Sequence, residues 1–263
     1  MELAAGRKAL VTGGASGFGR AIGERLASAG ATVALVDLDE GRAAEAAAGF
    51  AGSGHLGIAA DVRDTSQMKE AVERSAAAFG GLDTLVVSAG VFSMAPLEQV
   101  SQEEWERTIG VNLTGAFVSL QAAAPALRAS GRGRAVTIAS DAGRRGFPTQ
   151  AAYVASKFGL VGLTESVAAE LAPEVTVNCV CPVYCPTTSM GGEVLEEKVR
   201  RDERSADAVI TSAAATNPLG RNATEADVAG AVMFFLSEQG GFLTGAVLDV
   251  DGGARLGSVP GLD

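Results

Sequence analysis

Arg7-Lys-Ala-Leu-Val-Thr-Gly-Gly-Ala-Ser-Gly-Phe-Gly19 is a short apolar run that ends in a glycine-rich turn. Arg7 to Thr12 reads as a buried strand, and after Gly19 the apolar residues Ala21, Ile22, Leu26 and Ala27 recur at helical spacing. Strand, turn and helix together make a phosphate cradle. Glycines let the backbone approach a pyrophosphate, and the N–H groups and dipole of a helix N-terminus attract its charge. The spacing is Thr12-Gly13-x-x-x-Gly17-x-Gly19, with Ser16 and Phe18 flanking Gly17, rather than the commoner G-x-G-x-x-G. A second strand, Thr32 to Val36, ends in Asp37, about 20 residues past the glycines, where a carboxylate can bind the ribose hydroxyls of an adenosine. The unit predicts a dinucleotide site.

Outward from it, strands and helices alternate. Helices are expected over Ala43–Phe50, Ser66–Phe79, Glu103–Ala129 (interrupted by Pro125) and Val228–Leu236. Strands are expected over Leu56–Ala60, Leu82–Val87, Ala135–Ala139, Val175–Val180 and Ala246–Val250. This order predicts an α/β fold: a doubly wound parallel sheet of about seven strands, with helices on both faces and right-handed crossovers. In such a sheet ligands bind outside the carboxyl ends of the strands. The glycine turn, Asp37, Asp61, Ser88, Ser140 and Pro182 all fall at strand ends, so they converge although they are scattered in sequence.

Ala151-Ala-Tyr-Val-Ala-Ser-Lys-Phe-Gly159 continues at helical spacing through Leu160, Val161, Leu163, Val167 and Leu171. Tyr153 and Lys157, four apart, share one side of that helix. A phenol of ordinary pKa ~10 is a poor base near neutrality, and a fixed positive charge nearby favours phenolate. The pair is therefore a candidate proton-transfer device, and its place beside the converging strand ends lifts it above a chance match.

At 263 residues the chain suits one domain, residues 1–263, with a sizeable core. Its apolar share of 47% with 20% charged residues fits a closely packed α/β protein rather than a disordered one. The net charge of −10 argues against nucleic acid, whose phosphates need a basic face. No apolar run reaches the ~20 residues of a membrane span, and the first residues lack a signal-peptide core, so a cytoplasmic protein is expected. Cys179, Cys181 and Cys185 are odd in number and lack zinc spacing, and His55 is the one histidine. On a strand Val177, Cys179 and Cys181 share a face as small buried hydrophobes.

With these motifs the chain resembles the short-chain dehydrogenase/reductases, in the branch where a single Rossmann domain makes up nearly the whole protein. The resemblance runs from about Lys8 to Gly253. Thr12-Gly13-x-x-x-Gly17-x-Gly19, Asp61-Val62, Ser88-Ala89-Gly90, Asn112 in Val-Asn-Leu-Thr-Gly, Ser140 and Tyr153-x-x-x-Lys157 carry it. It implies a catalytic set of Asn112, Ser140, Tyr153 and Lys157. Tyr153 exchanges the proton with the substrate oxygen and Ser140 holds that oxygen. Lys157 binds the nicotinamide ribose and keeps Tyr153 acidic, and Asn112 sits at a local kink holding a water that links Lys157 to solvent. No catalytic metal is needed for this chemistry. The implied cofactor contacts are Gly13, Ser16, Gly17, Phe18, Gly19, Asp37, Asp61, Val62, Ser88, Ala89, Gly90, Tyr153, Lys157, Pro182, Val183 and Thr187. Two departures stand out: Val87-Ser88-Ala89-Gly90 replaces the family's Asn-Asn-Ala-Gly, and Pro182-Val183 replaces Pro-Gly beside the nicotinamide.

The cofactor expected is NAD, because Asp37 repels a 2′-phosphate and Ser16 stands where NADP-preferring relatives often carry Arg or Lys. Arg20 and Arg42 lie badly placed to reverse that preference. Thr188 to Thr216, with an amphipathic helix at Glu193–Arg200, is the expected substrate lid. Phe92, Met94, Phe147, Tyr184 and Met190 are candidates for an apolar pocket wall, while Arg144 and Arg145 raise, as surface residues do, only a weak case for an anionic substrate. The expected function is NAD-dependent interconversion of a small-molecule secondary alcohol and a ketone. A ketoacyl-type reductase with the same site is the alternative. An inactive dinucleotide-sensing scaffold is the rival class, against which the intact Ser140/Tyr153/Lys157/Asn112 set argues. By analogy the chain is a homo-oligomer, a tetramer, with Phe242–Gly245 and the C-terminal tail serving subunit contacts.

Overall fold

The structure, a computed structural model, describes residues 5–257; the C-terminal tail expected at subunit contacts and the first four residues lie outside the described residues. The chain opens with β1 (Lys8–Thr12), α1 (Gly17–Ser28), β2 (Thr32–Asp37), α2 (Glu40–Ala48), β3 (Leu56–Ala59), α3 (Thr65–Phe79) and β4 (Thr84–Val87). It continues through α4 (Gln102–Ile109), a π-turn (Gly110–Thr114), α5 (Gly115–Ala129), β5 (Gly133–Ile138), α6 (Ala151–Leu171) and β6 (Val175–Pro182). The last elements are α7 (Ser189–Asp202), α8 (Ala206–Ala215), α9 (Glu225–Leu236) and β7 (Val247–Val250).

The strands form one seven-stranded sheet in the order β3-β2-β1-β4-β5-β6-β7. Every ladder is parallel, as the alternation predicts. Successive side chains of a strand point to opposite faces, and here both faces are buried. Leu10, Leu85 and Val177 enter one apolar layer with Met68 of α3, Leu120 of α5 and Leu160 of α6. Val11, Val86 and Val136 enter the other with Ile22 and Leu26 of α1 and Val232 and Leu236 of α9. Each such side chain contributes about 1.5–3 kcal/mol of burial. Cys179 and Cys181 join Val177 in the first layer, so the cysteines of β6 serve as core residues.

Several elements differ from expectation, α9 and β5 among them, which start earlier at Glu225 and Gly133. α2 starts three residues early because Asp39 caps it, accepting from the Arg42 N–H at 3.1 Å. β4 starts at Thr84 because the buried Asp83 carboxylate draws off the local donors, taking the Lys8 N–H at 3.0 Å and the Thr84 hydroxyl at 2.8 Å. Pro125 does not interrupt α5. It and Gln121, whose carbonyl loses its amide partner, are exposed, so water reaches the freed oxygen. In the segment expected as a lid, α7 is longer than the predicted Glu193–Arg200 and a second helix, α8, follows it. Among the described residues no helix is long and apolar enough to cross a membrane.

Candidate active site

The strand order reverses between β1 and β4, the two strands that run outward to either side of the sheet, and the C-terminal ends there open into a cleft. Thr12, at the end of β1, ties the switch together: its hydroxyl accepts the Ser88 N–H at 3.1 Å and the Ala89 N–H at 3.2 Å. Gly13 follows with φ of +65°, and a Cβ there would lie 2.8 Å from the Ala89 Cα. A Cβ on Gly19 would collide with the Gly13 carbonyl. The turn therefore needs glycine twice, once for dihedral angle and once to seat α1 against it. Ser16 is the N-cap of α1 in extended conformation and makes no side-chain cap bond. Asp37 leans back over this turn, accepting from the Ala15 N–H at 3.0 Å and the Leu38 N–H at 2.9 Å.

These groups line one cavity of about 480 Å³ together with Asp61, Val62, Gly90, Pro182 and Val183. The volume suits a cofactor-sized ligand. Arg63 grips Asp61 through three contacts between 2.6 and 3.0 Å, which holds that carboxyl below its ordinary value. The Val183 N–H donates to the Val250 carbonyl at 3.1 Å, so β6 continues its pairing with β7 just where the family's Pro-Gly would stand. The exposed Thr187 hydroxyl donates to Glu225 at 2.7 Å, outside the cavity lining in this structure. The neighbouring Thr188 lines it instead, buried as the N-cap of α7.

The chemistry-bearing end is built by β5 and α6. Tyr153 and Ser140 both line the cavity. Ser140 donates to Asp141 Oδ1 at 3.0 Å and accepts from the Ala142 N–H at 3.1 Å. The Tyr153 ring meets Phe92 edge-on with centroids 5.0 Å apart. Burial pushes its phenol up to about 12, while a hydrogen bond with Ser140 pulls the other way. Lys157 is buried beneath the cavity rather than lining it, and its ammonium donates to the Ile138 carbonyl at 2.9 Å. Desolvation lowers its pKa to about 8. The Lys157 ammonium lies 5.6 Å from the Tyr153 ring centroid, on the same side of α6 as the phenol.

Asn112 lies in the π-turn, where a kink is expected. Its side chain is spent on structure: Oδ1 accepts the Val91 N–H at 2.8 Å, while Nδ2 donates to the Val91 carbonyl at 2.9 Å and to Ser156 Oγ at 3.0 Å. It thus clamps the loop after β4 to α6. Of the apolar candidates, Phe92, Phe147, Tyr184 and Met190 line the cavity, whereas Met94 instead meets Arg201 at 3.3 Å. Arg144 pairs with Asp249 at 3.0 Å, and Arg145 stands 3.6 Å from Asp141 and over the Phe147 ring. Sequence reasoning misses Asp141, Gln150 and Lys198, all cavity residues. Asp141 follows the candidate serine directly, a proximity that a search for carboxylates beside Ser140 would have noticed. Lys198 reaches the cavity only because α7 folds over it.

The dinucleotide fit rests on the backbone. A Cβ at Gly13 would collide with the Ala89 backbone and one at Gly19 with the Gly13 carbonyl, so the turn holds its shape only with glycine at both positions. Comparisons agree with the geometry. A family model described as enoyl-(acyl carrier protein) reductase matches residues 13–255. The 2-(S)-hydroxypropyl-CoM dehydrogenase 3 of Xanthobacter autotrophicus is 37% identical, with 92% of this chain and 94% of that protein covered. The D-threitol dehydrogenase of Mycolicibacterium smegmatis is 38% identical, covering 94% and 92%. The structure of sorbitol-6-phosphate 2-dehydrogenase from Erwinia amylovora superposes with a TM-score of 0.89 at 30% identity, covering 94% of this chain and 98% of that one.

Proposed function

The chain belongs to the short-chain dehydrogenase/reductase family, and from that premise we propose that it is an NAD-dependent enzyme interconverting a secondary alcohol and a ketone. The relatives support the coarser statement directly: it is an oxidoreductase acting on CH–OH. The observation that carries the finer reading is one cavity lined at one end by the glycine turn and Asp37 and at the other by Ser140 and Tyr153.

A bound nicotinamide dinucleotide supplies the two-electron redox chemistry. Gly13, Ser16, Gly17, Phe18 and Gly19 would hold its pyrophosphate, Asp37 its adenosine ribose, and Asp61 and Val62 its adenine end. Ser88, Ala89, Gly90, Pro182 and Val183 would flank the rest, and Lys157 would reach the second ribose. Tyr153 moves the substrate proton. Burial keeps its phenol protonated at neutral pH, so reduction finds a donor ready. Oxidation needs phenolate, which burial penalises and the Lys157 ammonium would offset. Ser140 would hold the substrate oxygen by turning its hydroxyl proton from Asp141 Oδ1, its acceptor in this structure, to that oxygen.

NAD is preferred to NADP in this proposal because Asp37 is locked at the glycine turn by two backbone N–H groups. A 2′-phosphate would set negative charge against it. Arg63, the cation nearest Asp61, is already engaged there, and Arg20 and Arg42 are exposed outside the cavity. Kinetics with both cofactors test this. A preference on the order of 10²-fold is expected, corresponding to ~3 kcal/mol, and Asp37→Ser should relax it. Equal or better efficiency with NADP refutes the Asp37 role. Tyr153→Phe should lose at least ~10²-fold in turnover while keeping the fold, and near-normal activity sinks the proton role. Relatives named (3R)-3-hydroxyacyl-CoA dehydrogenase, 38% identical, favour a second reading, a ketoacyl-type reductase, and acyl thioesters in the same assay test it.

The proposal also treats the chain as one oxidoreductase domain in which α7 and α8 form the substrate lid. Three free thiols fit a reducing, cytoplasmic setting. Assembly as a homotetramer is supported by the apolar side chains the fold leaves exposed, Phe117 and Phe158 among them.

A further inference from the structure

We propose that the substrate carries a carboxylate or an equivalent anionic group away from the reacting carbon, and that Lys198 on α7 receives it. The proposal deepens the oxidoreductase reading and rests on it for the identity of the reacting group.

Lys198 lines the cavity that Tyr153 and Ser140 line, and it is half-buried there. Among the described residues its ammonium has no hydrogen bond or ion pair; its one close partner is the Tyr184 ring, 5.2 Å from the centroid. The carboxylates whose fields reach it are committed elsewhere. Asp141 takes the Ser140 hydroxyl at 3.0 Å and faces Arg145 at 3.6 Å, and Asp202 is held by Arg201 at 2.7 Å. Arg201 itself, one turn along α7, adds like charge rather than relief. Half-buried and not paired within the protein, the ammonium is free to donate a charge-assisted hydrogen bond to an incoming anion.

Position decides which ligand that anion belongs to. Arg201 reaches Thr149 Oγ1 at 3.2 Å and so pins α7 to the segment just before α6. Lys198, three residues earlier on the same face, therefore stands over the Tyr153 end of the cavity and not over the glycine turn. Gln150, next to Thr149, also lines the cavity, and its side-chain amide makes no hydrogen bond among the described residues. Tyr184, Phe147 and Met190 give the walls there an apolar and aromatic part, beside the paired Asp141 and the exposed Glu193. A charged acceptor on an organic body fits this end better than a bare inorganic ion. Arg144 and Arg145, the cations that sequence alone brings forward, are both paired and lie outside the cavity.

The test uses three carboxylate alcohols, 3-hydroxybutanoate, 4-hydroxypentanoate and 5-hydroxyhexanoate, each against its own primary amide. Oxidation by the full chain with NAD gives a carboxylate-to-amide ratio of kcat/KM for each pair. At least one carboxylate should be preferred, and Lys198→Met should collapse that preference by at least ~10-fold, the scale of a hydrogen bond to a charged group. Lys198→Arg should retain most of it. Arg200→Met, removing an exposed cation of the same helix, controls for lost charge in general. No carboxylate preference in any pair, or a preference unchanged in Lys198→Met, overturns the proposal while turnover leaves the oxidoreductase reading standing. If no probe is turned over, calorimetry of the same pairs with NAD present decides. Carboxylate-selective binding abolished by Lys198→Met upholds the anion site even though these three alcohols are not its substrates. Its absence overturns the site.

Discussion

Tyr153 and Lys157 are four residues apart, yet each is governed more by burial than by the other. Lys157 is shifted from 10.5 to about 8 by desolvation, and Tyr153 from 10.0 to about 12 by the same cause. The signs of their linkage to stability differ. Between about pH 8 and 10.5 the unfolded chain holds a proton that folded Lys157 has released, so stability rises with pH across that window. Between about pH 10 and 12 folded Tyr153 keeps a proton that the unfolded phenol has lost, so stability falls. Lys157→Met should accordingly be more stable than wild type at pH 7, by up to about 3 kcal/mol. The gap should close as pH approaches 10. Urea unfolding of both proteins from pH 7 to 10 measures it, and a gap that does not change with pH contradicts the burial of the ammonium. Activity should fall in the same variant, so the lysine is kept at the expense of stability.

At the scale of elements, α7 and α8 differ from the rest. α7 begins on a well-formed cap, Thr188, whose hydroxyl accepts the Gly191 N–H at 2.9 Å. It buries little beyond Gly191 and Val194, and α8 buries only Val209. Between them Glu203 adopts φ of +50°, a left-handed conformation that a non-glycine residue holds at about 1–2 kcal/mol. Few buried apolar groups and a strained junction mark a unit of low local stability. α6, by contrast, buries Leu160, Val161, Ala168 and Leu171 in the core. Amide exchange should therefore be fast in residues 188–216 of the protein alone and slow in a complex with NAD and substrate, while α6 stays protected in both. Equal protection of 188–216 in the two states would remove the lid.

For the whole molecule, the parallel sheet with both faces covered leaves its outermost helices to meet solvent or another chain. Phe117 on α5 and Phe158 on α6 are each 46% exposed, and Trp105 on α4 is 39% exposed. A second group, Phe234, Phe242 and Leu248, is exposed near α9 and β7. Two separate apolar faces are what a tetramer with two kinds of two-fold contact needs. Sedimentation should give four times the 26.4 kDa chain mass, and Phe158→Asp should lower it. A monomer in wild type at micromolar concentration would remove the assembly.

What the sequence determined by itself was the part written in local pattern. The alternation of apolar strands with helical periodicity set the parallel α/β sheet. Thr12-Gly13-x-x-x-Gly17-x-Gly19 marked the cradle, because close backbone approach leaves no substitute for glycine at Gly13 and Gly19. Strand ends located Asp37, Asp61, Ser88 and Ser140 on one edge, since a parallel sheet gathers its carboxyl ends. Tertiary structure alone decided what depends on distance between segments far apart in the chain. It turned Thr187 to Glu225 and Thr188 to the cavity, a choice made by the cap of α7 that residue spacing does not encode. It carried Pro125 inside α5 because that face is wet. It raised the phenol of Tyr153 by burial, since desolvation depends on everything packed around a group. And it brought Lys198, far down the chain, over the same cavity as Ser140, while its neighbouring carboxylates were already engaged by other partners.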